Sequence, residues 1–202
     1  MKKLTKIIAL VLALVCICTA FAACGGNKDN KDKEKTPAVK VINYNLTSEQ
    51  YAFGVDKNQP ELLTKVNEIL KEMKSDGTFD AICNNNFGSG TPQAVKSAVL
   101  DKSKDQLIVA TNAEFEPFEY MKGENYYGVD MEMAAYIAKK LGKELVIKNM
   151  NFDAVCLSVG QHKCDIAMAG LTISEDRKEY VNFSDPYYEA SQRLIVKGTD
   201  TT

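Results

Sequence analysis

Apolar positions along this chain fall into runs of helical period and short apolar or aromatic runs, and together they lay out an alternating α/β domain. Glu49-Gln50-Tyr51-Ala52-Phe53-Gly54-Val55 is short and rich in aromatic and apolar residues, which predicts a strand. Leu62, Leu63, Val66, Ile69, Leu70 and Met73 then recur at helical spacing behind Pro60, which suits a first turn, and Gly77 ends the run. Thr78 is placed to cap a shorter helix with Phe79, Ile82 and Cys83 on one side. Phe87-Gly88-Ser89-Gly90-Thr91-Pro92 punctuates the chain as a loop, and a helical piece carrying Val95, Ala98 and Val99 is expected before Asp105. From there strand and helix alternate: strand 107–111, helix 130–141, strand 145–147, helix 152–159, strand 165–168, short helix 174–180 and strand 193–196. In the first of these helices Met133, Ala134, Ile137, Ala138 and Leu141 form the buried stripe, Asp130 stands at the cap and Gly142 terminates. That order implies parallel pairing with right-handed crossovers, hence an α/β fold with about five mostly parallel strands flanked by helices, one strand coming from the segment around Tyr51.

The N-terminus obeys neither pattern. Three lysines precede an apolar run from Ile7, and small residues follow before Cys24, which is the signature of a secretory signal over residues 1–23. Phe21-Ala22-Ala23-Cys24 is similar to a bacterial lipobox, which implies that Cys24 is lipidated and becomes the new N-terminus. One acyl chain holds a membrane weakly, so stable anchoring takes more than one. Residues 24–42 alternate charges without apolar periodicity and read as a solvated tether.

Loss of the signal removes Lys2, Lys3 and Lys6 and no acid, so the formal net charge moves from −2 to −5, and no basic patch remains for nucleic acid. Cys16 and Cys18 leave with the signal, so Cys83, Cys156 and Cys164 remain in the folded part. A Cys156–Cys164 disulfide and three small buried hydrophobes are both open readings. The sole histidine, His162, sits in a polar Gly160-Gln161-His162-Lys163 turn and is expected to face solvent. With no second histidine and no Cys-x-x-Cys, no metal or cofactor is expected.

In open sheets of this kind ligands lie beyond the C-terminal ends of the strands. The loop after the first strand of the alternating unit, Thr111 to Tyr120, places aromatics beside the Asn112 amide; Phe115 is the better wall, and Phe118, beside Pro117, is expected in the core. The loop after the third, Ala169 to Lys178, offers Gly170 for close approach, a hydroxyl and an N–H from Thr172, and the Arg177 fork, which fits a carboxylate bidentately. Those three suffice to hold one amino-acid carboxylate.

Gly128-Val129-Asp130-Met131-Glu132-Met133 with Ile137-Ala138, then Ala169 to Arg177, then Phe183-Ser184-Asp185-Pro186-Tyr187-Tyr188 stand in an order that resembles the bacterial solute-binding proteins of family 3, polar amino-acid receptors with a type II periplasmic binding fold. The resemblance runs over residues 106–198 and identifies them with the N-terminal part of lobe one. It implies that Arg177 clamps the ligand α-carboxylate with the Thr172 N–H, that Gly170 offers its carbonyl to the α-ammonium, and that the Thr172 hydroxyl adds a bond. Phe115 and Phe152 would sandwich the ligand side chain and Asn112 would meet its tip. Many members have an acid where Asn112 stands, so this position leans toward a glutamine-like or cystine-like ligand.

Residues 43–88 are similar to the same family's C-terminal tail, here placed before the lobe it normally completes, with 89–105 as the new linker and 199–202 at the hinge or chain end. No lobe-two sequence precedes Thr202, which implies either the front of a longer polypeptide or a lone lobe that binds feebly. The expected role is a monomeric, lipid-anchored receptor on the extracytoplasmic face of the cell membrane, not an enzyme, delivering its ligand to the permease of an ABC importer. Dehydratases of the cyclohexadienyl or arogenate kind, for which Glu114 and Glu116 are the nearby acids, and the sensor lobe of a signalling receptor are the alternatives.

Overall fold

A computed structural model describes residues 38–200. Cys24, the signal sequence and most of the tether lie outside the described residues. In chain order the elements are β1 (Val39–Asn45), β2 (Glu49–Tyr51), β3 (Gly54–Asp56), α1 (Pro60–Ser75), α2 (Thr78–Phe87), β4 (Gln106–Thr111), β5 (Glu114–Phe115), β6 (Glu119–Lys122), β7 (Asn125–Tyr127), α3 (Val129–Leu141), β8 (Glu144–Asn149), α4 (Phe152–Gly160), β9 (Ile166–Ala167), α5 (Glu175–Lys178), β10 (Val181–Phe183), β11 (Tyr188–Ala190) and β12 (Arg193–Lys197). Contacts divide the described residues into a large unit over 41–194 and a small one to which 38–40 and 195–200 belong.

The central sheet has five strands in the order β10-β3-β9-β4-β8. β4 runs parallel to both β8 and β9, while β3 is antiparallel to β9 and to β10, so four strands point one way and β3 alone runs back. The strand contributed by the front of the chain is thus inserted into the middle of the sheet, between two strands that come much later in sequence. Gly54 permits this fit, because a Cβ there would lie 2.8 Å from a Val181 methyl.

Both faces of the sheet are covered. Leu107 and Val109 of β4 pack with the apolar stripes of α1 and α3, whereas Ala110 packs with Val155 and Val159 of α4. The two-residue alternation along β4 thus serves two cores, as a strand buried on both sides requires. α3 hides Val129, Met131, Met133, Ala134, Ile137 and Ala138, more than one stripe, because β4, β6, β7, β8 and α2 all contact it.

Several local expectations are revised. The 49–55 run is two strands, not one: β2 pairs with β11, Ala52 and Phe53 are fully buried, and β3 enters the central sheet. Residues 193–196 are a strand but not part of the central sheet; β12 pairs with β1, which also shortens the expected tether. With Leu194 51% and Ile195 63% exposed, β12 lacks the burial that a sheet strand needs, and the apolar Val181 takes the fifth place. No helix forms over 95–99: Val95 exchanges backbone hydrogen bonds with Tyr126, and Ala98 N–H reaches Leu145 O. Glu132 fixes that linker by accepting from Asn85, Asn86 and the Gln93 N–H.

Thr78 does not cap α2; Gly77, at φ 82°, holds that position, and the Asp76 carboxylate accepts from the Thr78 N–H. Asp130 is likewise one turn position inside α3, behind Gly128, whose missing Cβ leaves room for the Phe118 carbonyl. All three remaining cysteines are free thiols. His162 is about half exposed, yet its Nδ1 pairs with the buried Asp56 carboxylate at 2.8 Å.

Candidate functional site

The C-terminal edges of β4, β8 and β9 converge on one cavity of about 410 Å³. Its lining includes all six residues singled out from sequence, namely Asn112, Phe115, Phe152, Gly170, Thr172 and Arg177. Tyr51, Glu114, Glu119 and Ala169 complete it, and sequence reasoning passed over Tyr51 and Glu119. Tyr51 arrives from the front of the chain through β2, and nothing in its own neighbourhood announces a partner so distant in sequence. For Glu119 there was a signal: an acid set directly between two aromatic residues, Phe118 and Tyr120, both buried.

The Gly170–Arg177 loop is built by backbone pairing with β2. Ala52 N–H bonds to Leu171 O and Ile173 N–H to Gln50 O, so Tyr51 and Thr172 face each other as a non-hydrogen-bonded pair. In that geometry the Thr172 N–H and carbonyl turn away from β2. The Thr172 carbonyl accepts from Arg177 Nη1 at 2.8 Å, which steadies the guanidinium beside the loop. The guanidinium carbon also stands 5.1 Å from the Phe152 ring centre, close enough for a cation–π contact. Phe152 itself is the first residue of α4, whose Asn151 side chain caps the helix by accepting from the Asp153 N–H.

The Thr172 hydroxyl donates to Glu49 Oε2 at 2.8 Å, a contact that involves the hydroxyl the family resemblance would give to a ligand. The hydroxyls of Thr47 and then Thr172 hold the Glu49 carboxyl below its ordinary range, with Gln192 and the Arg177 charge adding to them. On the other wall, Phe115 stacks on Phe118 with ring centres 5.3 Å apart, and Phe118 is buried as expected. Gly170 is held at φ 52°, and a Cβ on it would meet the Phe115 ring at 3.0 Å. Asn112 Nδ2 donates to Met150 O at 2.9 Å, which turns the amide oxygen toward the role of acceptor.

Two buried acids underlie this loop. Asp130 accepts from the Gly170 N–H at 2.9 Å and from the Tyr187 hydroxyl at 2.6 Å, and Tyr187 in turn stacks on Phe53. Burial raises the Asp130 pKa, and those two hydrogen bonds oppose the shift without cancelling it. Glu119 is fully buried and neither of its oxygens has a hydrogen-bond partner among the described residues. Burial first, and the Asp130 charge second, push its carboxyl far above the ordinary range. Glu116, by contrast, does not line the cavity and stands 3.7 Å from Lys122 on the surface.

A second cavity of about 470 Å³ opens at the start of α1, between Gln59, Leu62, Lys65 and Lys143. It lies at the opposite edge of the sheet and contains none of the loop features above.

Residues 107–202 match the family of bacterial extracellular solute-binding proteins, family 3. The chain is similar to the arginine-binding extracellular protein ArtP of Bacillus subtilis, 36% identical over 97 residues, covering 48% of this chain and 38% of that one. It is also similar to the cyclohexadienyl dehydratase of Pseudomonas aeruginosa, 35% identical over 91 residues, covering 45% of this chain and 34% of the other. Among solved structures, the arginine-bound form of domain 1 from TmArgBP is 38% identical, with 51% of this chain and 90% of that one covered at a TM-score of 0.41. The chain spans less than half the length of the curated relatives it matches.

Proposed function

We propose, from the premise that residues 107–202 belong to the bacterial extracellular solute-binding proteins of family 3, that this chain is the amino-acid-gripping lobe of an extracytoplasmic receptor serving an ABC importer. Arg177 and the Thr172 N–H take the ligand α-carboxylate, the Gly170 carbonyl takes its α-ammonium, and Phe115 and Phe152 flank its side chain. The ligand class is a polar amino acid of the glutamine, cystine or arginine kind. The lipid at Cys24 keeps the receptor beside its permease at the membrane surface. The observation that carries this reading is the convergence of Arg177, Thr172, Gly170 and the two phenylalanine rings on one cavity at the C-terminal strand edge.

Calorimetric titration with arginine, glutamine and cystine tests it, alongside the Arg177→Ala chain. Binding of at least one of them that disappears in the variant supports the assignment; a wild-type chain that takes up none at millimolar concentration overturns it. The dehydratase relative motivates a single control, because Glu119 is a buried acid on the cavity wall. Turnover of prephenate or arogenate by the chain would move it from receptor to enzyme.

A further inference from the structure

Glu49 comes from the front of the chain and does not line the cavity, yet it reaches the loop that does. Its carboxylate is held in one orientation. Oε1 accepts from the Thr47 hydroxyl at 2.8 Å and from Gln192 Nε2 at 2.7 Å, and Thr47 Oγ1 in turn accepts from the Gln192 N–H at 3.1 Å. Oε2 accepts from Thr172 Oγ1 at 2.8 Å. The hydroxyls of Thr47 and Thr172 are the first causes that hold this carboxyl below its ordinary range, so near neutral pH it is an anion and can only accept.

A threonine hydroxyl carries one proton beside its lone pairs. With that proton committed to Glu49, Thr172 Oγ1 keeps only acceptor capacity for the cavity that Thr172 lines. The Thr172 carbonyl is already taken by Arg177 Nη1, which leaves the Thr172 N–H as a donor and the hydroxyl oxygen as an acceptor. We infer that Glu49 is a positioning residue: by taking the Thr172 proton it keeps that hydroxyl from donating to a ligand carboxylate and makes it an acceptor for the α-ammonium. The site then prefers an amino acid to the same acid without its ammonium. This rests on the carboxylate grip of Arg177 proposed above, and it gives the Thr172 hydroxyl bond a direction.

The isosteric variant Glu49→Gln reverses that direction. Two donors, from Thr47 and Gln192, face Oε1, so the amide oxygen stays with them and the amide NH2 turns to Thr172 Oγ1. That hydroxyl then accepts from the amide, and its proton is free for a ligand carboxylate. The lost charge also leaves Arg177, whose field reaches Glu49, more attractive to any carboxylate. That change acts on an amino acid and on its des-ammonio acid alike, so the ratio of the two affinities isolates the hydroxyl.

Calorimetric titration of the full chain, held in detergent, tests this with two pairs of probes: arginine against 5-guanidinopentanoate, and glutamine against 4-carbamoylbutanoate. The wild type is expected to bind the amino acid of at least one pair more tightly than its acid. In Glu49→Gln that ratio falls about threefold to tenfold, and Thr172→Val, which approaches the same bond from its other end and guards against a folding defect, lowers it by a similar factor. Thr172→Ser keeps the hydroxyl and keeps the ratio. Adding Glu49→Gln to Thr172→Val changes the ratio by less than about twofold, because the two substitutions remove one and the same effect. A ratio unchanged in Glu49→Gln, or an amino acid and its acid weakened together, makes Glu49 a purely structural residue and overturns the inference. A Glu49→Gln effect that persists in full beside Thr172→Val also overturns it, since the charge would then act on the ligand without the hydroxyl. In each of these cases the Arg177 grip stands. A wild-type chain that binds none of the four probes removes the Arg177 grip itself, and this inference with it.

Discussion

At the N-terminal edge of the parallel strands, Asp56 and Asp165 have every oxygen taken. Asp56 accepts from His162 and from the Asn58 N–H, and Asp165 accepts from Gln59 and from the Ile108 N–H. At the C-terminal edge of the same sheet Asp130 is equally satisfied, but neither carboxyl oxygen of Glu119 has a hydrogen-bond partner among the described residues. A saturated buried acid fixes geometry: Asp56 joins the β3–α1 turn to the α4–β9 turn, and Asp130 fixes the Gly170 loop. An unsaturated one costs free energy where it stands, because its oxygens have given up water without a replacement. The cavities at the two edges are similar in volume, so size does not separate them; the state of the acids does.

The largest consequence is in stability against pH. Glu119 and Asp130 both have native pKa values above those of the unfolded chain, so the native state holds protons that the unfolded state has already lost. Stability is then fully present below the unfolded carboxylate pKa and falls as pH rises toward the native values, with a ceiling of about 1.4 kcal/mol per pH unit for one group. Urea midpoints of the ligand-free chain between pH 5 and 8 are expected to drop steadily, and Glu119→Gln should remove most of the slope. A midpoint that stays level in the wild type would mean that Glu119 carries its charge at little cost and that the two edges do not differ as described.

Next in size is Arg177→Ala, which in the proposed binding mode removes a charge-assisted carboxylate contact worth about 1.5–3 kcal/mol, or roughly tenfold to a hundredfold in affinity. Calorimetry reads the loss directly, and a change of less than threefold would place the carboxylate elsewhere. At the opposite edge Asp56→Ala is expected to cost about 1–3 kcal/mol of stability, because a buried acceptor of His162 and the Asn58 N–H is lost. Ligand affinity measured at a temperature where the variant stays folded should remain within about twofold. A larger loss of affinity would show that the two edges are coupled.

The sequence made the strand-and-helix order and the six lining residues legible because both rest on local signals, namely hydrophobic period, Gly and Pro punctuation, and motifs within single loops. What it hid is what depends on distant pairing. Residues 193–196 look as strand-like as 181–183, and only the fit of Val181 against Gly54 decides which joins the sheet. Asp130 sits where a helix cap belongs, and its actual partners, Gly170 and Tyr187, come from two later loops. Tyr51 entered the cavity through a strand at the front of the chain. Glu119 carried a local sign, an acid flanked by buried aromatics, but its missing partners are visible only in three dimensions.

The smallest effect is the one that tests how tightly the loop and the aromatic wall are matched. Gly170 is at φ 52°, a conformation that costs an L-residue about 1–2 kcal/mol, so Gly170→Ala carries that penalty before any contact is considered. The new methyl would also lie 3.0 Å from Phe115 Cε1 and 3.1 Å from Cδ1. Phe115 is 43% exposed, so its ring yields by a few tenths of an ångström and the steric part stays small. That displacement moves the wall over the ligand site, while the Gly170 N–H is pulled from Asp130 by the strained backbone. The expected result is a loss of about 1–2 kcal/mol of stability, read as a lower urea midpoint, and an affinity weakened about threefold to tenfold for every ligand alike if the loop grips the part common to all amino acids, as proposed. If arginine and glutamine suffered unequally, the loop would be reaching the ligand side chain and not only the part shared by all amino acids.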